Sequence, residues 1–293
     1  MTQTYLERYD AMCDDAAAHV IARYSTSFTL ATRLLSGGLR RDIRNLYAMV
    51  RIADEIVDGS AAEAGVDAPS LIDAYEDAVL AAPSVRFHTD PVLHAYAATA
   101  RRCEFDPAHV RAFFASMRQD TARSTYDSAG FDSYVYGSAE VIGLLSLSAF
   151  LAENPATPVD RQRMEAGARS LGSAFQKINF LRDFGEDYSA LGRTYFPELR
   201  ERPLDDATKS AILADIRSEL SHARSVIPLL PPAARSAVSA AEALFSELAD
   251  RVDATPASRL KTTRVSVPRA RKLILTARAF AASRKGPGLR TRP

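Results

Sequence analysis

Residues 176–187, QKINFLRDFGED, place an amide, an asparagine, an arginine and three acids within twelve positions of an otherwise apolar stretch. Set on a helix turning about 100° per residue, Gln176, Asn179, Asp183 and Asp187 fall within an arc of about 80°. A second segment, YAMVRIADEIVD at residues 47–58, behaves in the same way. Tyr47, Arg51, Asp54 and Asp58 share an arc of about 60° there. Like charges four residues apart cost an exposed helix only about 0.2–0.5 kcal/mol per pair, which decides little. Burial decides more, because an ionised carboxylate in apolar surroundings costs several kcal/mol unless it is paired or bound to metal.

Asp54 has Ile52, Ala53, Ile56 and Val57 as neighbours, and Asp183 has Ile178, Phe180, Leu181 and Phe184. One reading is two surface helices whose acids pair with Arg51 and Arg182. The other is a shared site. Two such segments, each with an arginine just before its first aspartate, favour hard oxygen ligands for Mg²⁺, with Mn²⁺ as a substitute. Mg²⁺ keeps several waters and commonly binds a few carboxylates together with phosphate oxygens, so a diphosphate ligand completes the site.

The rest of the chain fits a helical host for that site. Its 293 residues and 47% hydrophobic content allow a sizeable core, and only 13 Gly and 15 Pro interrupt it. Apolar residues at three- and four-residue intervals predict helices over 5–23, 39–58, 69–81, 91–103, 107–123, 131–152, 160–189, 206–226, 232–252 and 266–282. Gly59 and Pro83 are predicted stops, and Asp106-Pro107 a capped start. No strand pattern, fixed-period repeat or long linker competes, so residues 1–284 are expected to form one all-α domain. The basic segment 285–293, KGPGLRTRP, is expected to be disordered.

Charge and cysteines narrow the class. Eleven Lys and Arg follow Asp253 without a single acid, leaving 26 basic against 36 acidic residues before it. A basic tail suits an anionic membrane, a phosphorylated ligand or nucleic acid, but no nucleic-acid module or aromatic interleaving is present, so no nucleic-acid partner is expected. Cys13 and Cys103 are too few for a disulfide framework and lack metal or redox spacing, which suits a reducing cytoplasm. The charged N-terminus does not read as a signal peptide. The apolar run VIGLLSLSAFLA, residues 141–152, is 12 residues long, against the roughly 20 that span a bilayer, and no transmembrane helix is expected.

YAMVRIADEIVDG and QKINFLRDFGEDYSALGRTYFP resemble the two aspartate-rich signatures of the phytoene synthase and squalene synthase family. YSTSFTLATRLL at 24–35 resembles its N-terminal serine and phenylalanine segment, YVYGSAEVIG at 134–143 its central tyrosine, glycine and alanine helix, and RVSVPRARKL at 264–273 its basic helix. The similarity covers nearly the whole chain. It implies the class I isoprenoid (terpenoid) synthase fold, a helical bundle with a central cavity, and head-to-head condensation of two identical allylic isoprenoid diphosphates. Asp54, Asp58, Asn179, Asp183 and Asp187 would hold Mg²⁺. Arg51, Arg182 and Arg264 would contact diphosphate. Ser25, Ser27 and Phe28 would close over one substrate, and Tyr47, Tyr134, Ala139, Gln176 and Tyr195 would line the cavity, Tyr134 also assisting proton movement. The chain departs from the pattern at Tyr24, where relatives often carry His, and in the spacing of Tyr195 from Asp187, eight positions rather than seven.

Within that family the resemblance is greatest to bacterial enzymes that make C40 phytoene from two geranylgeranyl diphosphates without NADPH. A C30 synthase acting on farnesyl diphosphate and giving dehydrosqualene, presqualene diphosphate or squalene is the alternative, and a non-catalytic assembly or lipid-binding relative a third. An insoluble product is compatible with peripheral contact at the inner face of a membrane.

Overall fold

The computed structural model describes residues 3–122, 125–185, 194–200 and 202–284. Its helices are α1 (Tyr5–Tyr24), α2 (Thr26–Thr32), α3 (Gly37–Val57), α4 (Ser60–Glu63), α5 (Ala68–Ala81), α6 (Pro91–Cys103), α7 (Pro107–Ala122), α8 (Ser128–Val135) and α9 (Val141–Leu151). They continue with α10 (Pro158–Arg182), α11 (Asp206–Val226), α12 (Pro232–Asp253), α13 (Ala257–Leu260) and α14 (Arg269–Arg284). Among the described residues the one non-helical pairing is an isolated bridge between Thr125 and Thr194. The fold is an all-α bundle, as expected.

Local chemistry fixes most helix ends. Thr4 and Glu7 form a reciprocal capping box on α1, and Asp67, Asp90, Asp127, Thr157 and Asp205 cap later helices with their side chains. The chain leaves α3 through Gly59, whose φ of +125° is open to glycine and strained for other residues. The short helices α2, α4 and α13 were not predicted, because four to seven residues carry too little periodicity to read.

Two differences bear on the site. The predicted helix over 131–152 starts earlier, at Ser128, and is interrupted by a π-helical segment over Tyr136–Glu140. The predicted helix over 160–189 stops at Arg182, with Asp183 as its cap at φ −98° and ψ 7°. A Cβ on nearby Gly185 would lie 2.4 Å from the Lys261 carbonyl oxygen, so the chain beyond Asp183 is pressed against the α13–α14 connection. Gln176 and Asn179 thus share α10, with Asp183 at its cap. Asp187 and the segment 285–293 lie outside the described residues.

Three apolar clusters surround a cavity. Leu46, Met49, Ala53 and Ile56 of α3 pack with Phe113, Phe114 and Leu145 on one side. Ile178 and Leu181 of α10 pack with Leu213, Ile216 and Leu248 on the other. Leu35, Phe150, Met164, Ile227 and Leu230 close one end. The stretch Ser128–Leu151 has the length and hydropathy to cross a membrane, but 56% of its apolar window is buried within the bundle. It behaves as a core helix.

Close helix approach sets the cavity wall. A Cβ added at Gly172 would lie 2.6 Å from the Ala139 carbonyl oxygen, and one at Gly143 would lie 2.5 Å from that of Ala168. The bulged π segment thus seats directly against α10. Gly172→Ala is expected to lower the unfolding free energy by about 1–3 kcal/mol in urea denaturation, since backbone must move to admit one methyl group. A loss below about 0.5 kcal/mol would show the contact to be slack.

Candidate active site

α3 and α10 do not pack closely on one another; a cavity of about 800 Å³ lies between them. Asp54 and Asp58 line it from α3, and Gln176, Asn179, Arg182 and Asp183 from α10. Ser25, Ser27, Phe28, Tyr47, Arg51, Tyr134, Ala139, Tyr195 and Arg264 line the same cavity. All the sequence-derived site residues that fall within the described residues therefore meet in one place. On α10 the lining runs from Met164 at the apolar end through Ala168, Leu171, Phe175 and Asn179 to Asp183. At 1.5 Å per residue that path is about 28 Å long.

At the polar end the arginines are divided among several acids. Arg51 lies 3.6 Å from Asp54 and 4.0 Å from Asp58, but its guanidinium is held chiefly by Glu55, with Nε donating at 3.0 Å, and it stacks 4.3 Å over the Tyr24 ring. Asp54 is enclosed by protein on most sides, and the 31% of its side chain that stays open lines the cavity. Burial first, then the Asp58 carboxylate, push the Asp54 carboxyl up to about 8 against the opposing pull of Arg51. From α10, Asp183 accepts from Arg182 Nε at 2.9 Å and from Arg264 Nε at 2.8 Å. The arginine pairing that the sequence allowed is thus real at both segments, and at α3 Arg51 is shared between the two aspartates and Glu55.

These groups fit a divalent cation. Among the described residues no three His, Cys, Asp or Glu side chains already form a metal cage. Asn179 Oδ1, however, is buried and accepts no hydrogen bond, although it belongs to a residue lining the cavity. Such an orphaned oxygen, together with the carboxylates of Asp54, Asp58 and Asp183, is a hard-oxygen set of the kind Mg²⁺ takes.

Two aromatic groups flank the cavity. Phe28 sits 6.0 Å from Tyr47, 6.1 Å from Phe175 and 5.9 Å from Phe245, while Phe175 and Phe245 stack at 3.6 Å. Phe180 stacks on Tyr195 at 3.9 Å, with Tyr134 5.4 Å from Tyr195. Tyr134 donates its hydroxyl to Asp120 Oδ2 at 2.8 Å, and burial, then the Asp120 charge, push its phenol well up from the ordinary value. Burial likewise pushes Tyr47 up to about 12, so both phenols are neutral donors. Ser25 Oγ caps α2 by accepting from Phe28 N at 3.2 Å.

Several participants escaped the sequence reading. Glu55 stands beside Asp54 and could have been found as the i+4 partner of Arg51. Phe175 lies one residue before the opening stretch, four after Leu171 and four before Asn179, a spacing that would have put it on the same face. Asp120 and Phe245 carry no local signal, since only the tertiary fold brings them to the cavity, and within the basic stretch 264–273 nothing local distinguishes Lys272 from its arginines.

A profile of the squalene/phytoene synthase family matches residues 21–271. The chain belongs to that family. Phytoene synthase 1, chloroplastic, of Solanum lycopersicum is 29% identical over 287 residues, which cover 92% of this chain and 68% of that protein. A crystal structure of a dehydrosqualene synthase in complex with ligand superposes with a TM-score of 0.77 at 22% identity, covering 96% of this chain and 98% of the other. Squalene synthase HpnC from Alicyclobacillus acidocaldarius superposes at 0.70 and 20% identity, covering 86% and 96%. Members of the squalene/phytoene synthase family join isoprenoid diphosphates head to head, and this chain has the fold of that prenyltransferase class.

A carboxyl raised on folding binds more protons in the native state. Its contribution to stability is complete below the ordinary carboxylate value of 3.8 and is lost as pH rises towards about 8. In chelator-treated protein, Asp54→Asn is expected to flatten the fall of melting temperature between about pH 5 and 8. An unchanged slope would mean that Asp54 is not the strained acid.

Proposed function

We propose that this chain condenses two C20 allylic diphosphates, geranylgeranyl diphosphate, head to head through a cyclopropylcarbinyl diphosphate to C40 phytoene. The observation that carries the C20 choice is the length of the apolar path. From Asn179 to Met164 along α10 is about 22 Å at 1.5 Å per residue. At roughly 1.2 Å per bond of extended chain, the sixteen main-chain carbons of a C20 tail span about 19 Å, whereas the twelve of a C15 tail span about 14 Å. By this measure a C15 tail would stop short of the end lined by Met164, Phe150 and Leu230. Phytoene synthase relatives along most of the chain support the same reading.

Asp54, Asp58, Asn179, Asp183 and Asp187 would hold Mg²⁺. Bound there, the metal supplies Lewis acidity to the leaving diphosphate. Arg51, Arg182, Arg264 and Lys272 neutralise the departing charge from the cavity wall, which favours ionisation more than it favours the intact substrate. The rings of Phe180, Tyr195 and Tyr134 on one side, and Phe28 and Tyr47 on the other, offer π faces to the carbocation, each worth about 0.5–2 kcal/mol. The apolar wall keeps water from it. Tyr134 and Asp120 form a hydrogen-bonded pair at the cavity wall, suited to move the proton lost in the last step.

Purified protein with Mg²⁺ and geranylgeranyl diphosphate, without NADPH, is expected to give a C40 triene by mass and absorbance. Ala168 lies about 16 Å below Asn179 along α10, so Ala168→Phe plugs the path beyond the reach of a C15 tail. That variant is expected to lose C20 turnover by about 100-fold or more while keeping any C15 turnover. A C30 product alone from the wild type, or unchanged C20 turnover in the variant, contradicts the C20 assignment.

A further inference from the structure

The outward face of α14 is built opposite to an ordinary surface helix. Its inner side, with Lys272, Leu275, Thr276 and Ala279, is packed into the bundle, where α14 meets α12 and α2. Outward it shows Leu273, 57% exposed, and Ile274, 47% exposed, together with exposed Ala270, Ala277 and Ala281. At about 100° per residue these five fall within roughly 100° of arc. Phe280, also exposed, extends one edge of that stripe. Arg269 lies just beyond the stripe on one side and Arg278 on the other.

The charge around the stripe has one sign. Arg271 is engaged by Glu247 of α12 at 2.9 Å, whereas Arg269 and Arg278 make no ion pair among the described residues. No acid follows Asp253 anywhere in the sequence, and Lys285, Arg290 and Arg292 add further positive charge beyond the helix. A two-fold pairing of this face with a second copy would set arginine edges near arginine edges. An anionic lipid surface instead matches both parts of the face, taking the apolar side chains into its acyl boundary and the guanidinium groups onto phosphates. The helix is also joined to the cavity: Lys272, next to Leu273, lines it and donates from Nζ to Thr26 Oγ1 at 2.7 Å.

We propose that the outer face of α14 docks on an anionic bilayer, with Leu273 and Ile274 entering the headgroup–acyl boundary and Arg269 and Arg278 meeting lipid phosphates. Docking stands on this face alone. Its consequence, a water-insoluble product leaving the cavity beside a lipid surface, rests on the function proposed above.

Flotation of the full chain with phosphatidylglycerol–phosphatidylcholine vesicles tests the proposal. Wild-type protein is expected to float with these vesicles, to bind pure phosphatidylcholine far less, and to be released at about 0.5 M salt. Leu273→Glu with Ile274→Glu is expected to lower the bound fraction about tenfold or more. The same variant keeps its melting temperature and its turnover of detergent-dispersed substrate within about twofold, since neither side chain lines the cavity. Wild-type protein that does not float, or a variant that floats equally well, overturns the docking. So does a wild-type dimer that the variant converts to monomer, because the face then belongs to a second copy. Turnover is read separately, so loss of docking and failure of the proposed reaction are distinguishable.

Discussion

Asp54 and Asp58 stand at the C-terminal end of α3 with one guanidinium, Arg51, close to both and a cavity before them. Arg51 is shared with Glu55, and the protein around Asp54 weakens solvent screening of its carboxyl, although 31% of that side chain stays open. Such an arrangement is unfavourable in isolation and becomes favourable when a multivalent cation arrives. The arginines of the opposite wall have the complementary property. Arg182 and Arg264 both bond Asp183 yet remain at the cavity edge, where a diphosphate can draw on them. The acids and bases of the site thus stand in pairs that a diphosphate and its metal ions would redistribute.

The apolar two-thirds of the cavity impose the opposite demand. A long hydrocarbon needs a dry, smooth channel, and the helices that make it must approach closely enough to leave no side route for water. Gly172 against Ala139, and Gly143 against Ala168, allow that approach where any Cβ would meet a carbonyl oxygen. The π-helical segment at Tyr136–Glu140 sits at the same wall and carries Ala139 into the lining. Segments of this kind often occur at functional sites, where a local defect in the helical ladder re-aims the residues around it.

Helix periodicity made the main bundle readable from the residues, and the two acid-bearing faces with their arginines pointed to one shared site. What stayed hidden has physical causes. α2 is seven residues long, and its cap depends on Ser25 meeting Phe28 N in a turn that periodicity does not report. The break at Asp183 lies where Gly185 meets the Lys261 carbonyl, a tertiary contact that helix periodicity does not report. Asp120 joins the site through the Tyr134 hydroxyl, and Phe245 through its stack on Phe175, neither of which has a sequence-local trace. The outward apolar stripe of α14 is not legible in the sequence, because which side of that helix faces the bundle is set by its packing on α12 and α2.

The central claim is that carboxylates of α3 and α10 hold divalent cations in common with a diphosphate. Anomalous X-ray scattering from crystals grown with Mn²⁺ and a thiolodiphosphate substrate analogue tests it most directly. The account predicts manganese peaks within coordination distance of Asp54 or Asp58 and of Asn179 or Asp183, with the diphosphate oxygens between them. A diphosphate bound by Arg51, Arg182 and Arg264 with no manganese at these carboxylates would contradict it.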